Sequence, residues 1–525
     1  MVEGTGKKLG VTFLFGRAVG NGFIGQCLWL LPKLKHSYGH HRCVTHFYQK
    51  KDSILFPSLL EKVPQADEVF IHQLLCIRLR FMKYIMKYFL SILFYATLYS
   101  CKLTGQITQK QINVFLNDTA VHSGHVGISI YEPATQKYLY NYNAEKNFTP
   151  SSNVKLFTLY AGMKYLGDSL VGMRYSEDSN NIIIYPSGDP TLLHADFKLQ
   201  PVVGFLSKLK KTIWSDNWGF KTKPYGNGWA WNDYADDYMV ERSQLPVYGN
   251  VVSFSGRDIS LSIIPDVFNY SYPSIEGLQN NGFVSKVERG FFTNDFSCQF
   301  GADKNTKVFV PFITSDTLAF QFLSDTIHKT ITPKDFAGVG VLDNIGKAHK
   351  IHTFYSQPTD SLFRPMMHNS DNFFAEQTLL MVSNEKLGYM SDEDIIDTLL
   401  KTDLKDLPTK PRWVDGCGLS RYNLFSPKDF VFILEKLKNE FGIERMKRIL
   451  PTGGQGTLRS YYDNSVGFIY AKTGSMSNNV SLSGYLFTKK NKMLIFSVQI
   501  NSFSGSGRAG RRAIEKMLQQ IRENN

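Results

Sequence analysis

Strand-forming segments lie near both ends of the main body of this chain, and helical segments lie between them. The strand candidates, which alternate or cluster apolar residues, are residues 125–131, 137–142, 466–472, 480–488 and 493–501. A basic helix is expected over 508–521 at the end of the chain. Because early and late strands must share one core, the pattern predicts an α+β fold with a single antiparallel sheet built from both ends.

The middle of the chain has a different texture. Between residues 172 and 338, glycine, proline, asparagine and short β-branched or aromatic runs dominate, which predicts one or more mainly β inserted domains. Helical periodicity returns at residues 372–384, 392–400 and 427–440. Residues 102–171 and 339–525 are therefore predicted to form one domain that the insertion interrupts.

The positive charge lies mostly near the N-terminus. The chain has a formal net charge of +13, of which residues 1–81 carry +6, residues 82–101 carry +2 and the remainder carries +5. A nucleic-acid partner is therefore not expected for the main body. The six cysteines are too few for a disulfide scaffold, and no C-x-x-C pair suggests a metal.

Residues 82–101 have the order of a secretory signal peptide: a basic start, an uncharged run and a small residue before a cleavage site. The run of about 13 residues is too short to cross a bilayer, which needs about 20. Translation is expected to start at Met82 or Met86, with residues 1–81 outside the native protein; a genuine N-terminal extension is the alternative. Leu98-Tyr99-Ser100-Cys101 resembles a bacterial lipobox, so plain cleavage and a lipid anchor at Cys101 stay open. Either outcome predicts an exported, periplasmic protein.

Three short polar motifs follow one another along the chain. They are Ser152-Asn153-Val154-Lys155, Ser370-Asp371-Asn372 and Lys472-Thr473-Gly474. The first begins a predicted helix, after the N-cap and early-turn proline signals of Thr149-Pro150. The third lies at the end of a predicted strand. Both placements bring reactive side chains to the ends of regular elements.

The spacing of Ser152 and Lys155 suits nucleophilic catalysis. Residues three apart on a helix share a face, and the free N–H groups at its start can hold an oxyanion. A lysine base must be neutral near pH 7, which requires its pKa to fall by about 3 units, or about 4 kcal/mol. Burial and a second cation such as Lys472 would lower it. Ser151 shares the same face, so spacing alone leaves either serine as the nucleophile.

The three motifs in this order are typical of penicillin-binding proteins and class A β-lactamases. The chain resembles the D-alanyl-D-alanine carboxypeptidase/endopeptidase family of class C low-molecular-mass penicillin-binding proteins (peptidase family S13), whose spacing favours Ser152. The resemblance extends to residues 187–192, 228–233, 415–423 and 450–459, and to the large insertion. It implies a penicillin-binding-protein/serine β-lactamase-like transpeptidase domain and a serine-type carboxypeptidase that needs no cofactor and no metal.

The resemblance also implies a catalytic set. Ser152 would attack the carbonyl between two D-alanines while Lys155 takes its proton, and Ser370 would pass a proton to the leaving amine. Asn372 would bind the substrate amide and hold Lys155, and Lys472 would bind the terminal carboxylate. The implied partners are peptidoglycan peptides that end in D-Ala-D-Ala and β-lactam antibiotics.

Further substrate contacts follow from the same resemblance. Thr473 would bind the carboxylate with Lys472, and Gly474 would let the substrate lie close to the strand. The N–H of Ser475 would complete an oxyanion hole with that of Ser152.

Two interpretations are possible for each of three further residues, Arg421, Asp233 and Cys417. Arg421 either binds a carboxylate of the peptide stem or pairs with Asp415. Asp233 either meets a substrate amine or is a surface carboxylate that follows two packed tryptophans. Cys417 replaces the serine usual in the family, either as an oxidation-sensitive thiol or as a small isosteric substitution.

Two other functions remain alternatives to the carboxypeptidase. A β-lactamase or esterase would have the same fold, but the chain has no E-x-x-L-N segment of the kind that supplies a deacylating glutamate. A non-catalytic cell-wall binding protein is the second alternative, against which the intact motifs argue.

Overall fold

The computed structural model describes residues 79, 81–88, 107, 109–216, 219–257, 260–271, 282–301, 307–334 and 350–525. The chain divides into two compact units, residues 1–104 and 105–525. In the first unit, the described residues are helical. No helix within the described ranges combines the length and the apolar character needed to cross a bilayer. Most of residues 1–81, the end of the predicted signal peptide and Cys101 lie outside the described residues.

The second unit contains helices and strands that we number along the chain. The strands are β1 His125–Glu132, β2 Lys137–Tyr142, β3 Ser169–Glu177, β4 Asn181–Pro186, β5 Thr212–Asp216, β6 Val251–Arg257, β7 Ser260–Ile264, β8 Tyr270–Ser271, β9 Phe283–Arg289, β10 Phe296–Gly301, β11 Lys307–Pro311, β12 Ile331–Lys334, β13 His352–Pro358, β14 Ile469–Met476, β15 Asn479–Phe487 and β16 Met493–Asn501. The helices are α1 Gln109–Leu116, α2 Lys155–Tyr165, α3 Pro201–Lys208, α4 Asp316–Ile327, α5 Thr359–His368, α6 Asn372–Leu387, α7 Asp392–Lys401, α8 Pro427–Phe441, α9 Ile443–Ile449 and α10 Gly507–Asn524.

The first sheet confirms the predicted pairing between the two ends of the chain. Its order is β14-β15-β16-β1-β2, and every neighbouring pair is antiparallel. Val126 in β1 lies opposite Ile500 in β16. Strands β15 and β16 are buried on both faces because α10 packs on β15, while α8 packs on β16 and β1. The fold is α+β, as predicted.

Two further sheets lie between β2 and α5 in the chain. One is mixed, with the order β12-β5-β4-β3-β13, and the other has the order β11-β6-β9-β10-β8 with β7 paired to β6. They share a core with helices α3 and α4. The mainly β texture of the insertion is therefore present, with two helices added to it.

The limits of the insertion differ from the predicted 172–338. Strand β3 begins at Ser169, before the predicted start, and its antiparallel partner β13 ends at Pro358, after the predicted end. The second sheet thus extends from residue 169 to residue 358. Local periodicity cannot assign β13 to a sheet, because the assignment depends on pairing with a strand about 180 residues earlier.

Candidate active site

A short 3₁₀ turn, Ser151–Val154, precedes α2 and carries the candidate nucleophile. The N-cap that Thr149-Pro150-Ser151 predicts is wrong, because no side chain caps either the turn or α2. Instead, the Thr149 backbone N–H donates to Asn501 Oδ1 at 2.7 Å, and Asn501 Nδ2 donates to the Thr149 carbonyl at 3.1 Å. The last residue of strand β16 therefore fixes the entry to the turn through two hydrogen bonds.

Gly418 packs against the same turn. Its φ is +84°, and a Cβ atom at this position would lie 2.0 Å from the Ser151 carbonyl oxygen. A backbone atom cannot move aside as a flexible side chain can, so only glycine allows this approach. The loop that follows Asp415 thus packs directly against the Ser151–Val154 turn.

We expect Gly418→Ala to destabilise the protein by more than about 3 kcal/mol and to slow acylation by penicillin. The positive φ accounts for about 1 kcal/mol, and the overlap with Ser151 accounts for the rest. Thermal unfolding and acylation rate measure the two effects. Gly388→Ala is the matched control, because Gly388 has φ +81° with open space around it. Equal losses in both variants would contradict the proposed backbone overlap.

Lys155, the first residue of α2, has no exposed side-chain surface and is held by three polar atoms. Its Nζ lies 3.1 Å from Ser152 Oγ, 2.6 Å from Asn372 Oδ1 and 2.7 Å from the Cys417 carbonyl oxygen. Burial lowers the pKa of Lys155 below its usual value of 10.5, although nearby acidic groups oppose the shift. A buried amine with a lowered pKa beside a hydroxyl is the arrangement required for a general base.

The geometry distinguishes the two candidate serines. The Ser151 side chain is 1% exposed, and its Oγ has no hydrogen-bond partner among the described residues. Ser152 is partly exposed, and its Oγ faces Lys155 Nζ. Of these two serines, Ser152 is the one that is partly exposed to solvent and whose hydroxyl contacts the Lys155 amine.

Lys472 and Ser370 form the second polar pair. Lys472 Nζ donates to Ser370 Oγ at 2.8 Å and to the Thr473 carbonyl at 2.7 Å. Ser370 adopts φ +62° between α5 and α6, a conformation uncommon outside glycine that turns the chain between the helices. Burial, with a smaller contribution from the Lys155 charge, lowers the pKa of Lys472 well below its usual range.

Asn372 connects the base to the surrounding loop. Asp371 caps helix α6 by accepting from the Phe374 N–H at 2.9 Å, which fixes Asn372 in the first turn. Asn372 Nδ2 donates to the Tyr238 carbonyl at 2.9 Å, while its Oδ1 faces Lys155. The five predicted catalytic residues therefore meet in one polar cluster, although they come from three distant parts of the chain.

The K-T-G motif lies inside β14, which continues to Met476, rather than at the end of the strand. Thr473 is buried and lines a small cavity with Tyr461 and Arg511 behind the strand. Ser475 is exposed on the strand.

Close packing requires a glycine at position 474, and the sequence did not reveal this requirement. A Cβ atom at this position would lie 2.6 Å from the Pro150 carbonyl oxygen and 2.2 Å from Ser481 Oγ. Gly474 therefore lets the strand pack against the nucleophile turn. This close packing is a different requirement from the substrate approach expected for it.

Arg421 and Asp233 lie outside the polar cluster. Arg421 is exposed and forms no ion pair with Asp415 within the described ranges, so its predicted structural pairing is wrong. Asp233 lies in a 3₁₀ turn, half-buried, and its charge helps to raise the pKa of Tyr238. Of the tryptophans beside it, Trp229 packs against the core, whereas Trp231 is 74% exposed and contacts only the edge of the Phe291 ring among the described aromatic rings, with centroids 6.0 Å apart.

Cys417 is fully buried, and burial beside acidic groups raises its pKa well above 9.0, which favours the unreactive thiol. Glu376, Asp415 and Cys417 place potential ligand atoms within 4.8 Å of one another. However, Asp415 already accepts from Gly418 N, Ser420 N, Asn423 Nδ2 and Trp229 Nε1, at 2.6–2.9 Å. We interpret these side chains as a hydrogen-bonded support for the loop rather than a metal site.

The sequence interpretation missed three residues that assemble the cluster. Asn153 donates to the Lys472 carbonyl at 3.1 Å, Asn501 binds the Thr149 backbone, and Glu376 accepts from the Cys417 N–H at 2.7 Å. The position of Glu376 within the mostly apolar start of helix α6 indicates a buried acid but does not identify its partner, and Asn501, the last residue of β16, gave no signal. Asn153 gave no signal either.

A serine and a buried lysine one turn apart, completed by the S-D-N and K-T-G residues beside an antiparallel sheet, define the class of penicillin-binding proteins and serine β-lactamases. Comparisons with known proteins narrow this class. A model of the D-Ala-D-Ala carboxypeptidase 3 (S13) family matches residues 108–524. The chain belongs to this family.

Individual relatives agree with that membership. The D-alanyl-D-alanine carboxypeptidase of Actinomadura sp. (strain R39) is 22% identical over 440 residues, 76% of this chain and 81% of the relative. Penicillin binding protein 4 (dacB) from Haemophilus influenzae has a similar fold, with a TM-score of 0.61 and 18% identity over 78% of this chain and 98% of that chain. The same protein complexed with a novel beta-lactam gives a TM-score of 0.57 at 17% identity over 79% and 98%.

Proposed function

We propose that the protein is a serine-type D-Ala-D-Ala carboxypeptidase that shortens peptidoglycan stem peptides through an acyl-enzyme on Ser152. The observation that carries the proposal is the 3.1 Å approach of Lys155 Nζ to Ser152 Oγ, at an amine whose pKa burial lowers. Membership of the S13 family supports the choice of substrate.

The first half of the reaction forms an ester. Neutral Lys155 takes the Ser152 proton as Oγ attacks the carbonyl between two D-alanines, and the backbone N–H groups of Ser152 and Ser475 stabilise the oxyanion. Ser370 relays the proton that Lys155 has taken up to the leaving nitrogen, so that D-alanine departs as the C–N bond breaks and Lys155 is neutral again. The 2.8 Å contact between Lys472 Nζ and Ser370 Oγ supports that relay.

The second half of the reaction uses water. Neutral Lys155 takes a proton from the water that attacks the ester carbonyl, and it returns this proton to Ser152 Oγ as the C–Oγ bond breaks and the shortened peptide leaves. Lys472 and Thr473 bind the terminal carboxylate in this proposal, and Arg421 and Asp233 contact the peptide stem.

Since the leaving amine can also belong to a second stem peptide, the same steps would cut D-Ala cross-links as a D,D-endopeptidase.

A β-lactam would acylate the same serine. Its strained amide takes the place of the D-Ala-D-Ala bond, and the resulting ester retains the ring-opened drug, which blocks the approach of water.

An exported, periplasmic location follows from the substrate, which lies outside the cytoplasm. Attachment to the membrane through a lipidated Cys101 is part of this proposal, with plain signal cleavage as its alternative.

We expect the purified protein to release D-alanine from a synthetic stem peptide ending in D-Ala-D-Ala and to leave the matched peptide ending in D-Ala-L-Ala intact. Amino-acid analysis of the supernatant measures the release, and preincubation with penicillin should abolish it. Absence of both release and penicillin labelling would favour the non-catalytic binding protein. Rapid turnover of the labelled adduct would favour a β-lactamase.

A further inference from the structure

The buried carboxylate of Glu376 is linked to the candidate base, Lys155, through the backbone of Cys417. The Cys417 carbonyl accepts from Lys155 Nζ at 2.7 Å, and the N–H of the same residue donates to Glu376 Oε1 at 2.7 Å. Lys155, Cys417 and Glu376 are each no more than 1% exposed. One residue therefore links the amine of the candidate base to a carboxylate on helix α6.

The other oxygen of this carboxylate meets a buried cation. Arg242 Nη1 lies 3.2 Å from Glu376 Oε2 and 2.6 Å from Asp392 Oδ2, and Arg242 also donates to the Lys223 and Tyr225 carbonyls. Its side chain is 2% exposed. Arg242 comes from the chain between β5 and β6, so residues of the insertion complete the surroundings of Glu376.

Titratable groups from several elements surround Glu376. Arg242 is cationic, Asp415 and Asp392 are acidic, and the Lys155 amine and the Cys417 thiol lie beside them. Burial and, less strongly, the charge of Asp415 raise the pKa of the Glu376 carboxyl to about 7 against the opposing charge of Arg242. The ionised carboxylate in turn favours the protonated form of Lys155.

We propose that Glu376 is a positioning residue for Lys155, which holds the Cys417 peptide in place and sets the charge that the base experiences, with Arg242 as its counter-ion. This inference rests on the proposed function of Lys155 as the base. Glu376 does not contact the reacting atoms. Its effect reaches them through the backbone of one residue, Cys417, and through the electric field inside the buried cluster.

The test is the rate of acylation by a fluorescent penicillin, measured from pH 5 to pH 10 in the full chain. Glu376→Gln keeps an acceptor for the Cys417 N–H but removes the negative charge that the carboxylate carries above about pH 7, so Lys155 loses its proton more readily there. The acid limb of the rate profile should move to lower pH by about one unit.

Asp392→Asn is the matched control. It also leaves Arg242 with a single carboxylate, but Asp392 does not contact Cys417, so the acid limb should stay in place. Glu376→Asp keeps the charge but shortens the reach to the Cys417 N–H. It should slow acylation at least about tenfold while leaving the limb near its wild-type position.

Three outcomes would overturn the inference: an unmoved limb in Glu376→Gln, an equal shift in Asp392→Asn, or a wild-type rate in Glu376→Asp. Thermal unfolding of each variant separates these results from simple misfolding. Failure of the proposed function would look different, because the wild-type protein would then not be acylated at Ser152 at all.

Discussion

Replacing Ser152 by alanine is expected to lower the rate constant for acylation by a fluorescent penicillin by at least about 10³-fold. The hydroxyl 3.1 Å from Lys155 Nζ is the attacking group, and alanine offers no atom that can form the ester. Because Ser152 is partly exposed in a turn that its side chain does not cap, the substitution should leave the fold intact. Gel fluorescence against time measures the rate, and thermal unfolding checks the fold.

Ser151→Ala is the matched control for this prediction. The Ser151 hydroxyl is buried without a hydrogen-bond partner among the described residues, so its removal leaves no other group unsatisfied. Acylation of Ser151→Ala should remain within about tenfold of the wild type. Loss of labelling in both variants, or in neither, would remove Ser152 from the role of nucleophile.

The split sheet could be predicted because its strands carry strong local signals. Strands β15 and β16 are almost continuously apolar, as expected for strands covered on both faces, and β16 was predicted to the residue. Helix α8 likewise begins at a capping serine and proline, Ser426 and Pro427. Each of these features depends on neighbours in sequence.

Features that depend on distant partners could not be predicted. The edge strand β13 joins the second sheet only through its pairing with β3. The 3₁₀ geometry at Ser151–Val154 replaces the expected helix start because Asn501 binds the Thr149 backbone from β16. In both cases a contact from far along the chain decides the local structure.

The same distinction applies to the site. Lys155 and Lys472 were identified because they belong to short motifs that are recognisable in a single sequence, and the family resemblance then favoured Ser152 over Ser151. Glu376 was not, because its importance comes from the Cys417 peptide that it holds, 41 residues away. An inward-facing acid on a buried helix becomes informative only when its partners are known.

Replacing Lys155 by methionine is expected to reduce acylation by about 10²–10⁴-fold, the contribution typical of a general base. Methionine fills a similar volume but cannot take the Ser152 proton. It also removes the donor to Asn372 Oδ1 and to the Cys417 carbonyl, which costs about 1–3 kcal/mol for each acceptor. Relief from burying an ammonium group offsets part of this cost, so thermal unfolding should show a folded protein.

The pH dependence of the acylation rate shows whether Lys155 acts as the general base. In the wild type, acylation should rise with pH as Lys155 becomes neutral, and the midpoint of the rise should lie below pH 10.5, because burial lowers the pKa of this amine. In Lys155→Met this limb should disappear from the residual rate. Lys164→Met is the control on the same helix, where the lysine is partly exposed and pairs with Glu440 at 3.0 Å. A limb that persists in Lys155→Met, or that vanishes in both variants, would assign the proton transfer to another group, and Lys472 would be the next candidate because its amine is buried and close to Ser370.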